Sequence, residues 1–416
     1  MKFDSYYISE DIKKNLHQLG FKRPTDIQFK AIPSILNGED VLAVAQTGTG
    51  KTAAFAIPVV DKIHRFKSSK RSYGIKCIVM VPTRELALQI GEVFKSIAKH
   101  TKVKTFTLHG GVEQDAQISK LQDGIDVLIA TPGRMFDLIN QKAIRLEQVT
   151  TLILDEADHM LDLGFIDDIT YIKKMLKQRH QTLFFSATLN DEIRKLAYSQ
   201  VKSEAIRIQI SPKDRISKNV SHFVMFIEMD DKRFFLHRFL ADHADAKVIV
   251  FVRTRVRAER IVKAMQRLEV NCQSIHGDKD QTERSDVMQS FRDGALRVLV
   301  ATDVSARGID VPDIDFVINY DLPEKVENYV HRVGRTGRGL RKGEAISFCS
   351  LEEKPLLENI QAFIAKPVDV IKVTKKGYDE IIKTPEHIEQ DLKALVAEHD
   401  AWLSGSGKKK RKRRKK

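Results

Sequence analysis

Three stretches of the chain carry residues whose types and spacing could handle a phosphorylated ligand. The first is Ala45-Gln46-Thr47-Gly48-Thr49-Gly50-Lys51-Thr52. Its glycines let backbone N–H groups converge on phosphate oxygens, and a helix start adds partial positive charge. Lys51 would reach the terminal phosphates, and the Thr52 hydroxyl can ligate Mg²⁺. Ala45 stands where the general phosphate-binding loop has its first glycine, a departure from that pattern. A purely structural turn would account for Gly48 and Gly50, but not for Gly-Lys-Thr between a strand and a helix. The second stretch is Asp155-Glu156-Ala157-Asp158. Asp155 would hold Mg²⁺, directly or through water, and Glu156 would polarise the water that attacks a γ-phosphate. Alone, these four residues could be a solvated helix start; a phosphate loop upstream in the same domain favours the metal and water reading. The third stretch, His331 to Arg338, sets Arg332, Arg335 and Arg338 among glycines, and planar guanidinium groups suit phosphate oxygens. The economical reading is an arginine finger completing the site across a domain interface, so that nucleotide closes the two domains. A basic surface loop is the plainer alternative.

Such a site needs strands that deliver loops to one edge. Short apolar runs recur at Val41–Ala45, Cys77–Val81, Thr105–Leu108, Val127–Ala130, Thr151–Leu154 and Thr182–Phe185. A second set lies at Val248–Val252, Cys272–Ile275, Val298–Ala301, Phe316–Ile318 and Ala345–Phe348. Runs apolar on both faces between helical stretches predict buried parallel strands in βαβ units, hence two α/β domains over 1–210 and 221–365. Asp155 and Glu156 then fall at the carboxyl end of a strand, where open α/β sheets bind ligands. The polar, proline-containing segment 211–220 predicts a linker. No fine-period repeat is present, although the two halves could share a fold. Beyond about residue 365 the strand pattern stops. Thr384 can cap a helix with Pro385 at its first position, and Ile388, Leu392, Leu395, Val396, His399, Trp402 and Leu403 form a helical stripe within an extension over 366–403. Two outcomes are open for that stripe, packing on the second domain or binding a partner.

The net charge of +14 is mostly local. Residues 1–210 hold 30 basic against 24 acidic side chains, residues 211–407 hold 31 against 32, and the last nine, Lys408 to Lys416, are all basic. A run of like charge after Ser404-Gly-Ser-Gly407 predicts a disordered tail over 404–416 that binds nucleic acid or another acidic surface; a solubilising or import tag is the plainer reading. The apolar runs, such as Val248–Val252, fall far short of the roughly 20 residues that span a bilayer. Met1–Glu10 lacks a basic segment followed by an apolar one, so a cytoplasmic protein without membrane association is expected. Cys77, Cys272 and Cys349 are far apart and read as reduced and buried.

Taken together, Phe3, Gly20-Phe21-Lys22-Arg23-Pro24-Thr25-Asp26-Ile27-Gln28, Ala45–Thr52, Pro82-Thr83-Arg84-Glu85-Leu86-Ala87, Gly110-Gly111, Thr131-Pro132-Gly133-Arg134, Asp155–Asp158, Ser186-Ala187-Thr188, Ala301–Asp310 and His331–Arg338 resemble the ordered motif set of DEAD-box ATP-dependent RNA helicases. The resemblance covers roughly residues 1–365, and Ala45 matches that family's own form of the loop. It implies two tandem RecA-like domains, ATP and Mg²⁺ as ligands, and RNA, single-stranded or in short duplexes, as partner. It also implies roles. Gln28 would read the adenine edge with Phe21 stacked on the ring, supported by Phe3 and Arg23. Gly308 and Asp310 would lie at the ribose, and Arg335 and Arg338 at the γ-phosphate. Asp158, Ser186, Thr188 and His331 would couple hydrolysis to strand separation. Pro82, Thr83, Arg84, Gly110, Gly111, Thr131, Pro132, Gly133 and Arg134 would line the first-domain RNA track, with Thr254, Gly277 and Thr302 in the second.

Small groups, backbone amides and arginines suit sugar and phosphate rather than base edges, so binding should be largely independent of sequence. Contacts to 2′-hydroxyls are the usual means of preferring RNA. Arg253 and Arg255 make the stretch around Thr254 more basic than in many relatives. The compact layout with short flanks resembles the bacterial RhlE-like branch, which implies a monomeric core and proteins of ribosome assembly or RNA turnover as partners. A non-catalytic RNA clamp and a DNA translocase are the competing classes. Lys51, Glu156, Arg335 and Arg338 together argue against the clamp, and stimulation by RNA against DNA of equal length separates the translocase.

Overall fold

The computed structural model describes residues 2–46, 48–69, 74–210, 219–306, 311, 313–337 and 341–382. Among these residues, fourteen strands fall into two parallel sheets of seven. The first holds β1 (Val41–Val44), β2 (Cys77–Met80), β3 (Thr105–Leu108), β4 (Val127–Ala130), β5 (Thr151–Leu154), β6 (Gln181–Ser186) and β7 (Ile206–Gln209) in the order β3-β4-β2-β5-β6-β1-β7. The second holds β8 (Val220–Phe226), β9 (Val248–Val252), β10 (Cys272–Ile275), β11 (Val298–Thr302), β12 (Phe316–Asn319), β13 (Gly343–Cys349) and β14 (Asp369–Val370) in the order β10-β11-β9-β12-β13-β8-β14. Renumbered from its own first strand, the second order is the first one again, so two chains of motif without sequence repetition adopt one topology.

Alternation along each strand divides the core. In the first sheet Val41, Ala43, Cys77 and Val79 face one layer with Phe55, Phe94 and Phe185, whereas Leu42, Ile78 and Met80 face the other. The second sheet divides likewise, with Ile249 and Phe251 on one side and Val248, Val250 and Val252 on the other. Every one of these hydrophobic clusters lies wholly within one domain. The helix Lys51–Phe66 is buried along its first half, and Phe55 packs on Phe185 with centroids 5.1 Å apart. Burying a side chain of that size contributes about 1.5–3 kcal/mol, which pins the helix start against the sheet.

Three strands depart from the sequence expectation. β7 is an edge strand with alternating exposure, and β8 begins at Val220, which was assigned to the linker. β14 lies beyond residue 365, where strands were expected to stop; its two exposed residues pair with Phe223 and Val224. A helix at Lys375–Ile382 follows and packs on the second domain, with Tyr378 against Phe235 at 4.9 Å and its hydroxyl donating to Asp231 Oδ2 at 2.9 Å. The stripe from Ile388 to Leu403 and the basic tail lie outside the described residues, as does most of segment 211–220. The three cysteines are free and buried. Among the described residues no helix is long and apolar enough to cross a membrane.

Candidate functional site

β1 ends at Val44 and seven residues later the helix Lys51–Phe66 begins, so the loop between them hangs at the carboxyl edge of the sheet. Gly48 and Gly50 hold φ of 81° and 90°, the left-handed region that glycine enters without steric cost. Gly50 has a second constraint: a Cβ there would lie 2.5 Å from Gln28 Nε2. Gln28 is buried; its Nε2 donates to Gly50 O at 3.1 Å and its Oε1 accepts from Thr25 N at 3.0 Å. The amide expected to read adenine is thereby fastened to the phosphate loop. Phe3 is buried and meets Phe21 edge-on at 5.6 Å, while Arg23 is exposed. Lys51 is buried and donates to Ala45 O at 2.9 Å; Thr49 Oγ1 donates to Gln46 O at 2.7 Å, and Thr52 follows half-buried. Thr47 lies outside the described residues.

β5 delivers Asp155 and Glu156 beside that loop. Burial pushes the Asp155 carboxyl up to about 6, with Lys51 opposing and Glu156 adding; its Oδ1 accepts from Glu156 N at 3.0 Å. Burial also pushes Glu156 up, but His159, Lys51 and Arg335 outweigh it and hold the carboxyl at about 2. Adjacent carboxylates are thus driven apart in basicity, the mark of a divided task. Glu156 sits at φ 50°, ψ 49°, left-handed for a residue with a side chain. His159, one turn on, is 2 % exposed, and its Nδ1 is 3.7 Å from Glu156 Oε2. Asp158 Oδ2 accepts from Thr188 N and Thr188 Oγ1 at 3.0 Å and from Ala187 N at 3.2 Å. Ser186 Oγ donates to Thr188 O at 2.8 Å. The three residues named for coupling on this side therefore touch.

The second domain supplies Arg335, 4 % exposed, whose Nε donates to His331 O at 3.0 Å and whose charge lowers Glu156 across the cleft. Arg332 corrects the reading of three phosphate-facing arginines. It turns into its own domain, where Nε and Nη2 pair with Asp303 at 2.5 and 2.8 Å and Nη1 donates to Asp321 O at 2.6 Å. The helix Val326–Val333 puts Arg332 on its buried face with Tyr329 and Val333. Gly308, Asp310 and Arg338 lie outside the described residues.

On the other side of the cleft the two domains present equivalent loops. β2 leads to Pro82, Thr83 and Arg84, and β9 to Arg253, Thr254 and Arg255; Thr83 and Thr254 each cap the following helix, accepting from Leu86 N and Arg257 N. β3 leads to His109-Gly110-Gly111, and β10 to His276-Gly277. β4 leads to Thr131, with Pro132 opening a helix that carries Gly133 and Arg134, and β11 ends at Thr302. Arg84 lies over Gly110, where a Cβ would stand 3.0 Å from Nη2. Burial lowers the Arg84 pKa and Arg284 and Arg134 add to it, so three guanidinium groups from both domains crowd one place. Arg134 donates to Gln117 Oε1 at 2.6 Å. Gly111 has φ 79°, and the space beside Gly133 and Gly277 is open. Arg253 serves structure, bonding Glu353 at 3.1 Å, and Arg255 pairs with Asp278.

Two cross-domain ion pairs escaped the sequence reading: Arg284–Glu85 at 2.5 Å, both largely buried, and Lys325–Asp162 at 2.6 Å. Nothing local in sequence marks either pair. His159 also escaped, though its three-residue spacing from Glu156 on a helix was a usable signal.

Two RecA-like sheets with a phosphate loop, paired carboxylates and an arginine from the facing domain define a two-domain P-loop motor. Residues 25–196 match the family model for the DEAD/DEAH box helicase domain, and residues 231–339 match the helicase conserved C-terminal domain. The chain is 40% identical over 364 residues to the DEAD-box ATP-dependent RNA helicase CshA of Bacillus cereus, covering 87% of this chain and 68% of that one. Yeast (S. cerevisiae) Dbp5 bound to RNA and ADP BeF3 superposes with a TM-score of 0.81 at 30% identity, over 91% of this chain and 97% of that one. The helicase Mss116 bound to ssRNA and UDP-BeF gives 0.81 at 28% identity, over 97% and 86%. The chain belongs to the DEAD-box ATP-dependent RNA helicases.

Proposed function

We propose that ATP hydrolysis and RNA separation in this RNA-dependent ATPase and helicase share one cleft, with Lys51, Asp155 and Glu156 on one wall and Arg335 and Arg338 on the other. The observation that carries this reading is the electrostatic reach of Arg335 to Glu156 from the opposite domain. Ala45–Thr52 would cradle the phosphates, with Lys51 on the terminal ones. Phe3, Phe21, Arg23 and Gln28 would hold the base, and Gly308 and Asp310 the ribose. Asp155 and Thr52 fit Mg²⁺, since a buried carboxylate raised to about 6 carries charge that its surroundings do not fully compensate. The ion, when bound, would supply charge neutralisation at the phosphates. Glu156, ionised at any physiological pH, would accept a proton from the attacking water, and Arg335 would face the developing charge.

Asp158 links the carboxylate strand to Ser186 and Thr188, and His331 lies behind Arg335, a route by which loss of the γ-phosphate could reach the RNA side. There the paired loops around Thr83, Arg84, Gly110, Gly111, Thr131–Arg134, Thr254, Gly277 and Thr302 would grip sugar and phosphate along a strand. Because closure serves both ligands, each tightens the other's binding by the same factor. Phosphate release measured with and without RNA tests the reading. Glu156→Gln is expected to bind ATP and RNA normally and to turn over about 10²–10⁴-fold more slowly; unchanged turnover would refute the assignment.

The protein would be a cytoplasmic enzyme with a monomeric core, of the RhlE-like kind, working with proteins of ribosome assembly or RNA turnover. The tail would act as a tethered, sequence-tolerant RNA grip, and deleting 404–416 is expected to flatten the salt dependence of RNA binding.

A further inference from the structure

The first domain has a second concavity at the opposite edge of the sheet. It opens at the amino ends of β1, β2, β5 and β6, whose carboxyl ends carry the catalytic loops, and its volume is about 620 Å³. That lies within the roughly 300–1,000 Å³ of small-molecule sites. Its walls have two characters. One is apolar: Val59 and Ile63 from the helix Lys51–Phe66, with the Phe66 ring 85 % exposed at the rim. The other is cationic: Lys62, Lys67, Lys76, Arg179 and Lys202 against the single acid Asp126.

These cations are not equivalent. Lys67 is held by Asp126 Oδ2 at 2.6 Å and Lys102 O at 2.9 Å, so the acid is already neutralised. Lys76 donates to Gln148 Oε1, and Lys202 reaches Asp40 Oδ1 at 3.4 Å. Lys62 and Arg179 make no hydrogen bond or ion pair among the described residues. Lys62 is also half-buried, and burial lowers its pKa with no anion to offset it. A cation withdrawn from water beside apolar surface costs free energy unless an anion meets it.

We propose that this concavity binds a phosphorylated nucleoside, with its phosphate between Lys62 and Arg179 and its base on Phe66 and Ile63. A bare oligophosphate would use the cations and leave the apolar wall wet; a base covers that wall and stacks on the exposed ring. The nucleoside can be a free nucleotide or the phosphorylated end of an RNA chain, which share this chemistry. The site is distinct from the ATP cleft, since the strands run from one to the other.

The test fills the ATP cleft first. Full-length protein locked with Mg²⁺, ADP, beryllium fluoride and 5′-hydroxyl single-stranded RNA, then freed of unbound nucleotide by gel filtration, is titrated calorimetrically with GDP, with pyrophosphate, and with 5′-phosphorylated or 5′-hydroxyl dinucleotides. One further GDP per chain is expected. Lys62→Gln and Arg179→Gln should each weaken it at least tenfold, and Phe66→Ala should weaken GDP but not pyrophosphate. Preference for the phosphorylated dinucleotide over GDP assigns the site to an RNA end, and the reverse assigns it to a free nucleotide. Arg179 and Phe66 are exposed, so their variants fold, and RNA-stimulated ATP turnover should stay at the parental rate in both. Absence of additional binding by every probe, or binding indifferent to Arg179→Gln, overturns the proposal. Equal GDP affinity with and without the Phe66 ring overturns the nucleoside assignment.

Discussion

The two domains share a strand order, yet only one presents a phosphate loop, and the places where they agree and differ are informative. After β1 the chain makes a glycine-rich loop and opens a helix on Lys51. After β8 it runs through Ile227–Asp231 without a glycine and opens a helix on Lys232. The two lysines occupy the same topological position with opposite fates. Lys51 points back into its loop, whereas Lys232 is fully buried, donating to Glu353 Oε2 at 2.5 Å and Tyr320 O at 2.8 Å. The acids behave alike. β5 is followed by Asp155 and Glu156 facing the cleft, and β12 by Tyr320 and Asp321, the latter paired with Arg257 at 2.5 Å. The loops on the other side of the cleft, by contrast, match: threonine caps after β2 and β9, His-Gly after β3 and β10. One scaffold carries its Thr-capped and His-Gly loops twice and its glycine-rich loop once. In the second domain the equivalent charges tie the fold together.

The largest expected effect comes from exchanging fates at that lysine position. Lys51→Met should abolish measurable ATP turnover while shifting the melting temperature by no more than about 2 °C. Lys232→Met should do the reverse, costing about 3 kcal/mol by stripping the buried Glu353 Oε2 of its cation and leaving Arg253 at Oε1 as its remaining ion pair. Melting of the second domain should fall by roughly 10 °C, and Lys232→Met with Glu353→Leu should recover most of it. Calorimetry with turnover measured well below the transition reads both, and a harmless Lys232→Met would dissolve the contrast.

Asp155→Asn should stop turnover and yet stabilise the nucleotide-free protein. With a folded pKa of about 6 against an ordinary 3.8, Asp155 favours the protonated protein; its contribution is complete below pH 4 and lost as pH rises through 6. The variant should therefore melt a few degrees higher at pH 7.5 and match the parent near pH 4. A constant difference across that range would remove burial as the cause. Glu85→Gln, which breaks the buried pair with Arg284, should leave ATP binding without RNA intact and weaken the mutual tightening of ATP and RNA by about tenfold; fluorescence titration with each ligand in turn reads this. His159→Gln should have the smallest effect, a few-fold fall in kcat. Because His159 helps hold Glu156 at about 2, its loss should lower turnover more at pH 5.5 than at pH 8.

Sequence made the fold legible wherever strands were buried on both faces. It failed at β7 and β14, which are edge strands with exposed residues, and at Val220, where β8 alternates buried and exposed positions and begins among polar neighbours. The candidate site was legible where its residues are contiguous, because local order places Lys51 at a helix start and Asp155 and Glu156 at a strand end. Arg332 was misjudged because spacing among glycines does not reveal which helix face is buried. Glu85 with Arg284 and Asp162 with Lys325 were invisible, since their meeting depends on how two folded bodies dock.

That docking has a mechanical corollary. Among the described residues every greasy cluster stops at its own domain's border, and what bridges the gap is ionic. The exposed bridge from Lys325 to Asp162 loses grip as counter-ions crowd in, whereas a waterproof seam would stick. A machine that must let go once per fuel molecule is better served by joints that dissolve than by joints that set.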